Sequence, residues 1–166
     1  MQNQQAQTLA RMFELARKLN LFYLSKLKEV DPFLNHELGG LKFNSIYWLT
    51  AHLLWAEDNL IVKMTGGESN LPIWLQHYHL GADGSLHAGH GTFKELLDLM
   101  KTYHQFSLDY VRNLSDEKLN EDNISKFGFG DGDVSNRLSI MHAIRHESTH
   151  TGHFSWLAKM AGVKTI

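Results

Sequence analysis

"SIMHAIRHESTHTGHFSWLAKMAG", residues 139–162, decides how this chain is read. At about 100° per residue, His142, His146, His150 and His153 fall within one arc of roughly 80°. Leu157 and Met160 share that arc, whereas Arg145 and Glu147 point away from it. Histidines that only decorated a surface would be expected on the charged face. These sit with apolar residues, on a side where an unpaired polar group is costly to bury. Residues four apart on a helix are neighbours, so imidazoles at that spacing can converge on one ion.

Four segments carry helical periodicity, and none shows a convincing strand alternation. The first is predicted from about Thr8 to Glu29, with Leu9, Met12, Phe13, Ala16, Leu19, Phe22, Tyr23 and Leu27 as its apolar stripe and Asp31-Pro32 as its stop. The second runs from about Asn44 to Met64, capped by Asn44 or Ser45 and ended by Gly66 and Gly67. The third spans about Thr92 to Leu114, and the fourth about Ser135 to Ala161. Two long connections remain, residues 66–91 and 115–134. Loops of this length are uncommon in compact domains and are often functional. The expected architecture is all-α, a single four-helix-bundle domain over residues 1–166 with long loops after the second and third helices. "FGFGDGDV", residues 127–134, reads as a glycine-rich turn or short hairpin.

Composition narrows the function. Hydrophobic residues make up 43% and charged residues 20%, as in an ordinary globular chain. A net charge of -2 with no basic cluster gives no pull toward nucleic acid or an acidic membrane. No apolar run approaches a membrane span, and the N-terminal residues do not form a signal peptide, so the expected location is cytoplasmic. With no cysteine, disulfides, thiolate metal sites and cysteine nucleophiles are excluded. Eleven histidines are the unusual count, and histidine is the commonest metal ligand.

A third ligand has to come from another helix. The best candidate is His52 in "NSIYWLTAHLLWAED", residues 44–58, flanked on its own face by Trp48, Leu49 and Ala56. A lone histidine there reads equally as a satisfied core residue. The pair on the last helix shifts that balance, because facing helices of a bundle are where such sites are built. His146, Glu147 and His150 also match His-Glu-x-x-His, the zinc-protease signature. That reading fails on the third ligand: position 153 is histidine where one pattern needs glycine, and no glutamate follows His150. A di-iron bundle would need a second Glu-x-x-His spacing, which is not found.

"NSIYWLTAHLLWAED" and "SIMHAIRHESTHTGHFSWLAKMAG" resemble the two motifs of the DinB-like family of metal-binding four-helix bundles, and the chain is similar to that family in length and helix order. The resemblance implies metal ligands at His52, His146 and His150. It implies one divalent ion, zinc or nickel first and iron next, with open coordination positions. The family's final-helix motif ends in Arg-Gly-Gln, where this chain has Thr151, Gly152 and His153, so His153 is brought near the pocket. Some relatives look like transferases or isomerases that use a low-molecular-weight thiol, and a homodimer is also implied.

Three neutral imidazoles leave an ion its full charge, so it can lower the pKa of a bound water or bind a thiol as thiolate. The favoured reading is a transferase acting on a small molecule with an exogenous low-molecular-weight thiol. A metal-dependent hydrolase and a non-catalytic, metal-stabilised binding or stress-response module are the alternatives. Glu57, His142 and His153 are the candidates to orient ligands or line the pocket. His77, His79, His87 and His90 are expected to be solvated or hydrogen-bonded loop residues. Trp48, Trp55, Trp74 and Trp156 are expected in the core. The glycine-rich loop lacks the frame of a phosphate loop, and Asp131 and Asp133 lack the rest of a calcium loop.

Overall fold

The computed structural model describes residues 3–165. Helix α1 (Gln4–Lys26) leads into a small hairpin, β1 (Glu37–Leu38) and β2 (Leu41–Lys42). Helix α2 (Ile46–Glu57) continues directly as a π-helical segment, Asp58–Lys63. A 3₁₀ segment (Ile73–Tyr78), helix α3 (Phe93–Arg112), the short helix α4 (Asp116–Asn120) and helix α5 (Asn136–Met160) complete the chain. The four long helices pack as a bundle, with α1 lying against α5 and α3. No helix among the described residues is long and apolar enough to cross a membrane.

Side-chain caps explain where the helices begin. Ser45 accepts from the Trp48 amide, which settles the choice left open between Asn44 and Ser45. Thr92 and Glu95 form a reciprocal capping box at α3, and Ser135 accepts from the Leu138 amide at α5. Helix α1 starts four residues before the position the apolar pattern suggested, because Asn3 caps it through the Ala6 amide.

The buried stripe of α1 is Ala6, Leu9, Ala10, Phe13, Arg17, Asn20, Tyr23 and Leu24. Met12 and Leu19, expected in that stripe, are exposed at 50% and 43%. The difference arises because two polar residues, Arg17 and Asn20, take core positions. Trp156, expected in the core, is 59% exposed, on the outer side of α5 with Lys159 over its ring.

The hairpin was invisible to an alternation test because each strand is two residues long and exposed. Its turn residues Gly39 and Gly40 have φ of 59° and 80°, the left-handed pair of a tight hairpin turn. The 127–134 stretch is a turn without strands of its own, closed by an antiparallel bridge between Asp122 and Ser135. Asn123 clasps it, donating from Nδ2 to the carbonyls of Phe127 (2.9 Å) and Val134 (2.6 Å).

Candidate metal centre

His52, on α2, and His146 and His150, on α5, meet at one point. One ring nitrogen from each lies within 4.8 Å of the others. The His52 and His146 Nε2 atoms are 3.1 Å apart, and those of His146 and His150 are 3.2 Å apart. Two nitrogens on a tetrahedral zinc, at Zn–N of about 2.0–2.1 Å, would be separated by about 3.3 Å. The spacing therefore suits a shared ion.

The proton count points the same way. His52 Nδ1–H donates to the Tyr78 carbonyl at 2.7 Å, delivered by the 3₁₀ segment after α2. A carbonyl only accepts, so neutral His52 presents a bare Nε2. His146 Nε2 faces that lone pair on one side and His150 Nε2 on the other. If it carries a proton, it can point that proton squarely at only one of them. If it is bare, it opposes the lone pair of His52. Hydrogen bonds alone do not satisfy both contacts well, whereas one cation satisfies three lone pairs.

Protonation is disfavoured throughout. Burial, then the nearness of His52, His142 and Arg145, pushes His146 down to about 3. Burial, then His146, pushes His150 down to about 2. Burial also lowers His52, against the opposing pull of the Tyr78 carbonyl. The cluster is thus neutral and ready for a cation at physiological pH.

His153 Nδ1 lies 3.0 Å from His150 Nδ1, one turn along α5. His142 stacks on Phe127 (ring centroids 5.0 Å apart) and meets the edge of Phe129. Its Nδ1 accepts from Arg145 at 2.9 Å. Glu57, expected beside His52, is placed elsewhere. Five residues on from His52 it has turned about 140° around the helix. There it accepts from Arg17 Nη2 at 2.8 Å and from His104 Nδ1 at 3.0 Å.

Arg17 is the hub of that second cluster. Its Nε donates to Glu147 Oε1 at 2.5 Å, and Asn20 Nδ2 adds 2.8 Å to the same oxygen. Arg17, Glu57 and Glu147 are each 2% exposed or less. Glu147 is therefore an interhelix ion-pair partner, held by α1 away from the histidines. The glutamate of the apparent protease signature has no role as base here. Arg17, Asn20 and His104 were missed because single polar residues in an apolar stripe give no motif. Opposite-sign residues on buried faces were the available signal.

None of the loop histidines joins the centre. His77 and His87 stack at 3.6 Å, His79 Nδ1 bonds the Leu80 carbonyl, and His90 packs on Tyr47. The loop also borders a cavity of about 460 Å³, lined by His77, His79 and His87 and larger than either cavity beside the triad. Size alone does not make it the site, because its stacked imidazoles present faces, not converging lone pairs. Two smaller cavities flank the triad. One, about 270 Å³, has His52, Trp55, Leu60, Met64, Phe127, His142 and His146 in its wall. The other, about 240 Å³, includes Lys42, Asn44, Leu49, His150 and His153.

A helical bundle with a buried three-histidine cluster that could hold a metal is the class this fold and site define. Residues 12–154 match the DinB superfamily, and the chain belongs to it. A comparison with curated proteins gives no match.

Proposed function

We propose that His52, His146 and His150 hold one divalent ion, and that the protein is a metal-dependent transferase using a low-molecular-weight thiol. The observation that carries the metal reading is the convergence of three neutral Nε2 atoms whose contacts hydrogen bonds cannot all satisfy. A structural site is closed by four protein ligands, whereas three leave room for a substrate. An ion held here would bind a thiol and favour its ionised form.

The protein's own residues account for the rest. His153 accepts from His150 Nδ1–H and so keeps the His150 Nε2 lone pair free. Tyr78 does the same for His52 through its carbonyl. In the transfer the sulfur forms a bond to carbon, the leaving group departs with its bonding pair, and the thiol proton passes to solvent. No carboxylate is among the residues lining either flanking cavity, which favours an ionised thiol over hydrolysis assisted by a carboxylate base. Self-association belongs to the same reading, supported by the exposed row Met12, Leu15 and Leu19 on α1.

The test is thiol transfer by zinc- or nickel-loaded protein, with glutathione and a chromogenic aryl halide as probes and a nitrophenyl ester run in parallel. Metal-dependent loss of free thiol, abolished in His146→Ala, is the expected result. Ester hydrolysis without thiol consumption would replace the transferase with a hydrolase. Neither activity in the loaded protein would leave a non-catalytic metal-binding module.

A further inference from the structure

The two cavities that flank the triad differ in chemistry. The cleft beside His150 carries Lys42 and Asn44. The chamber beside His146 is walled almost entirely by carbon, from Trp55, Ala56, Leu60, Met64 and Phe127. Part of its wall is π-helical chain after Glu57, where the Met64 amide bonds the Asn59 carbonyl at 2.9 Å, five residues back. That widened turn carries Asn59, Leu60 and Met64 into the chamber wall. Such turns are frequent at functional sites. On the far side, the loop clasped by Asn123 brings Phe127 against His142.

We propose that this chamber is a ligand subsite for an uncharged aromatic group carrying one hydrogen-bond acceptor. The volume, about 270 Å³, exceeds the roughly 150 Å³ of an apolar cavity that holds benzene, and suits a fused pair of rings. The wall offers no carboxylate, lysine or arginine to pair with a charge, so an ionised group would lose its hydration without compensation. Trp55, Phe127 and the His142 ring supply faces and edges for aromatic contact. His142 supplies the polar handle. Its Nδ1 accepts from Arg145, so neutral His142 carries its proton on Nε2 and can donate. The chamber's role as a substrate site rests on the proposed metal reading, because only an ion on the triad would place reacting atoms beside it.

The experiment is a fluorescence titration of metal-free and zinc-loaded protein with 6-propionyl-2-dimethylaminonaphthalene, whose carbonyl is the acceptor, and, separately, with 6-dimethylaminonaphthalene-2-sulfonate, in which a sulfonate takes the place of the propionyl group. The expected result in the metal-free protein, where no ion can compensate an anion, is saturable one-site binding of the uncharged probe, with the sulfonate at least tenfold weaker. Ala56→Leu fills the chamber and should weaken the uncharged probe at least tenfold. Leu80, 79% exposed at the rim, can change without cost to the fold, and Leu80→Glu should weaken it severalfold. Ile73→Glu, at an 82% exposed site elsewhere, should change nothing. Equal binding of the two probes, or uncharged-probe binding untouched by Leu80→Glu, would overturn the assignment. So would binding lost as the protein self-associates, which would give the chamber to a second copy. Zinc content measured on the same samples separates the two ideas. Stoichiometric zinc with no probe binding sinks the subsite alone, and probe binding by protein that takes up no zinc on loading sinks the metal reading alone.

Discussion

Acid should destabilise the metal-free protein well above the range in which its carboxylates protonate. Folding holds His146 at about 3 and His150 at about 2, chiefly by burial. An unfolded histidine titrates near 6.5, so as pH falls the unfolded chain takes up these protons first. Stability is therefore intact above about 6.5 and declines below it until the folded values are reached. Each histidine contributes about 1.4 kcal/mol per pH unit. Over the one and a half units down to pH 5, two of them cost about 4 kcal/mol, a large share of the 5–15 kcal/mol typical of a domain. Burial lowers His52 and His142 as well, which adds to the loss. Glu57 has the opposite linkage: Arg17 and His104 outweigh its burial and lower it, so its stabilisation is lost only below about pH 4.5. The window from pH 7.5 to 5 thus belongs to the histidines. Urea unfolding of chelator-treated protein across that window measures the loss, and His146→Gln should remove about 2 of the 4 kcal/mol. A stability that stays flat from pH 7.5 to 5 would refute the reasoning, because it would mean that these imidazoles protonate as freely folded as unfolded.

Arg17→Met should destabilise by about 3–5 kcal/mol in urea unfolding at pH 7, because it strands two buried carboxylates, and the deficit should shrink at lower pH as they protonate. His153→Ala should weaken zinc affinity by about 10–100-fold in competition with a chelator, by freeing the His150 ring. It should leave unfolding within about 0.5 kcal/mol, since His153 is exposed. Gly67→Ala should cost about 1–3 kcal/mol by thermal or urea unfolding. An added Cβ would meet the Tyr110 ring at 2.9 Å, and that ring is held by its hydrogen bond to Thr65.

Much of this site is legible in two short stretches of sequence. Four-residue spacing on α5 puts His146 and His150 on one face whatever the rest of the chain does, and the long apolar periods require facing helices, so His52 has few places to go. The bundle follows from the same periods. What stays hidden depends on partners distant in sequence. The roughly 140° between Glu57 and His52 could be read from their spacing, but not that Arg17, forty residues earlier, waits on that other face. The histidine arc of α5 reads as its inward face, yet the buried face is centred nearer Ala143, Glu147 and Phe154, which leaves the histidines along its border, where two cavities reach them. Trp156 looks like core because tryptophan usually is, but it lies on the solvent side of that border. The π-helical turn has no sequence signal: Asp58–Lys63 holds no glycine or proline to mark a break in the helix it extends.

The central claim is that one ion bridges α2 and α5. Elemental analysis of untagged protein, reconstituted with zinc or nickel and freed of excess metal, tests it directly. About one equivalent is expected in the wild type, lost in His52→Ala and in His146→Ala alike. Metal retained in His52→Ala, or none bound by the reconstituted wild type, would contradict it.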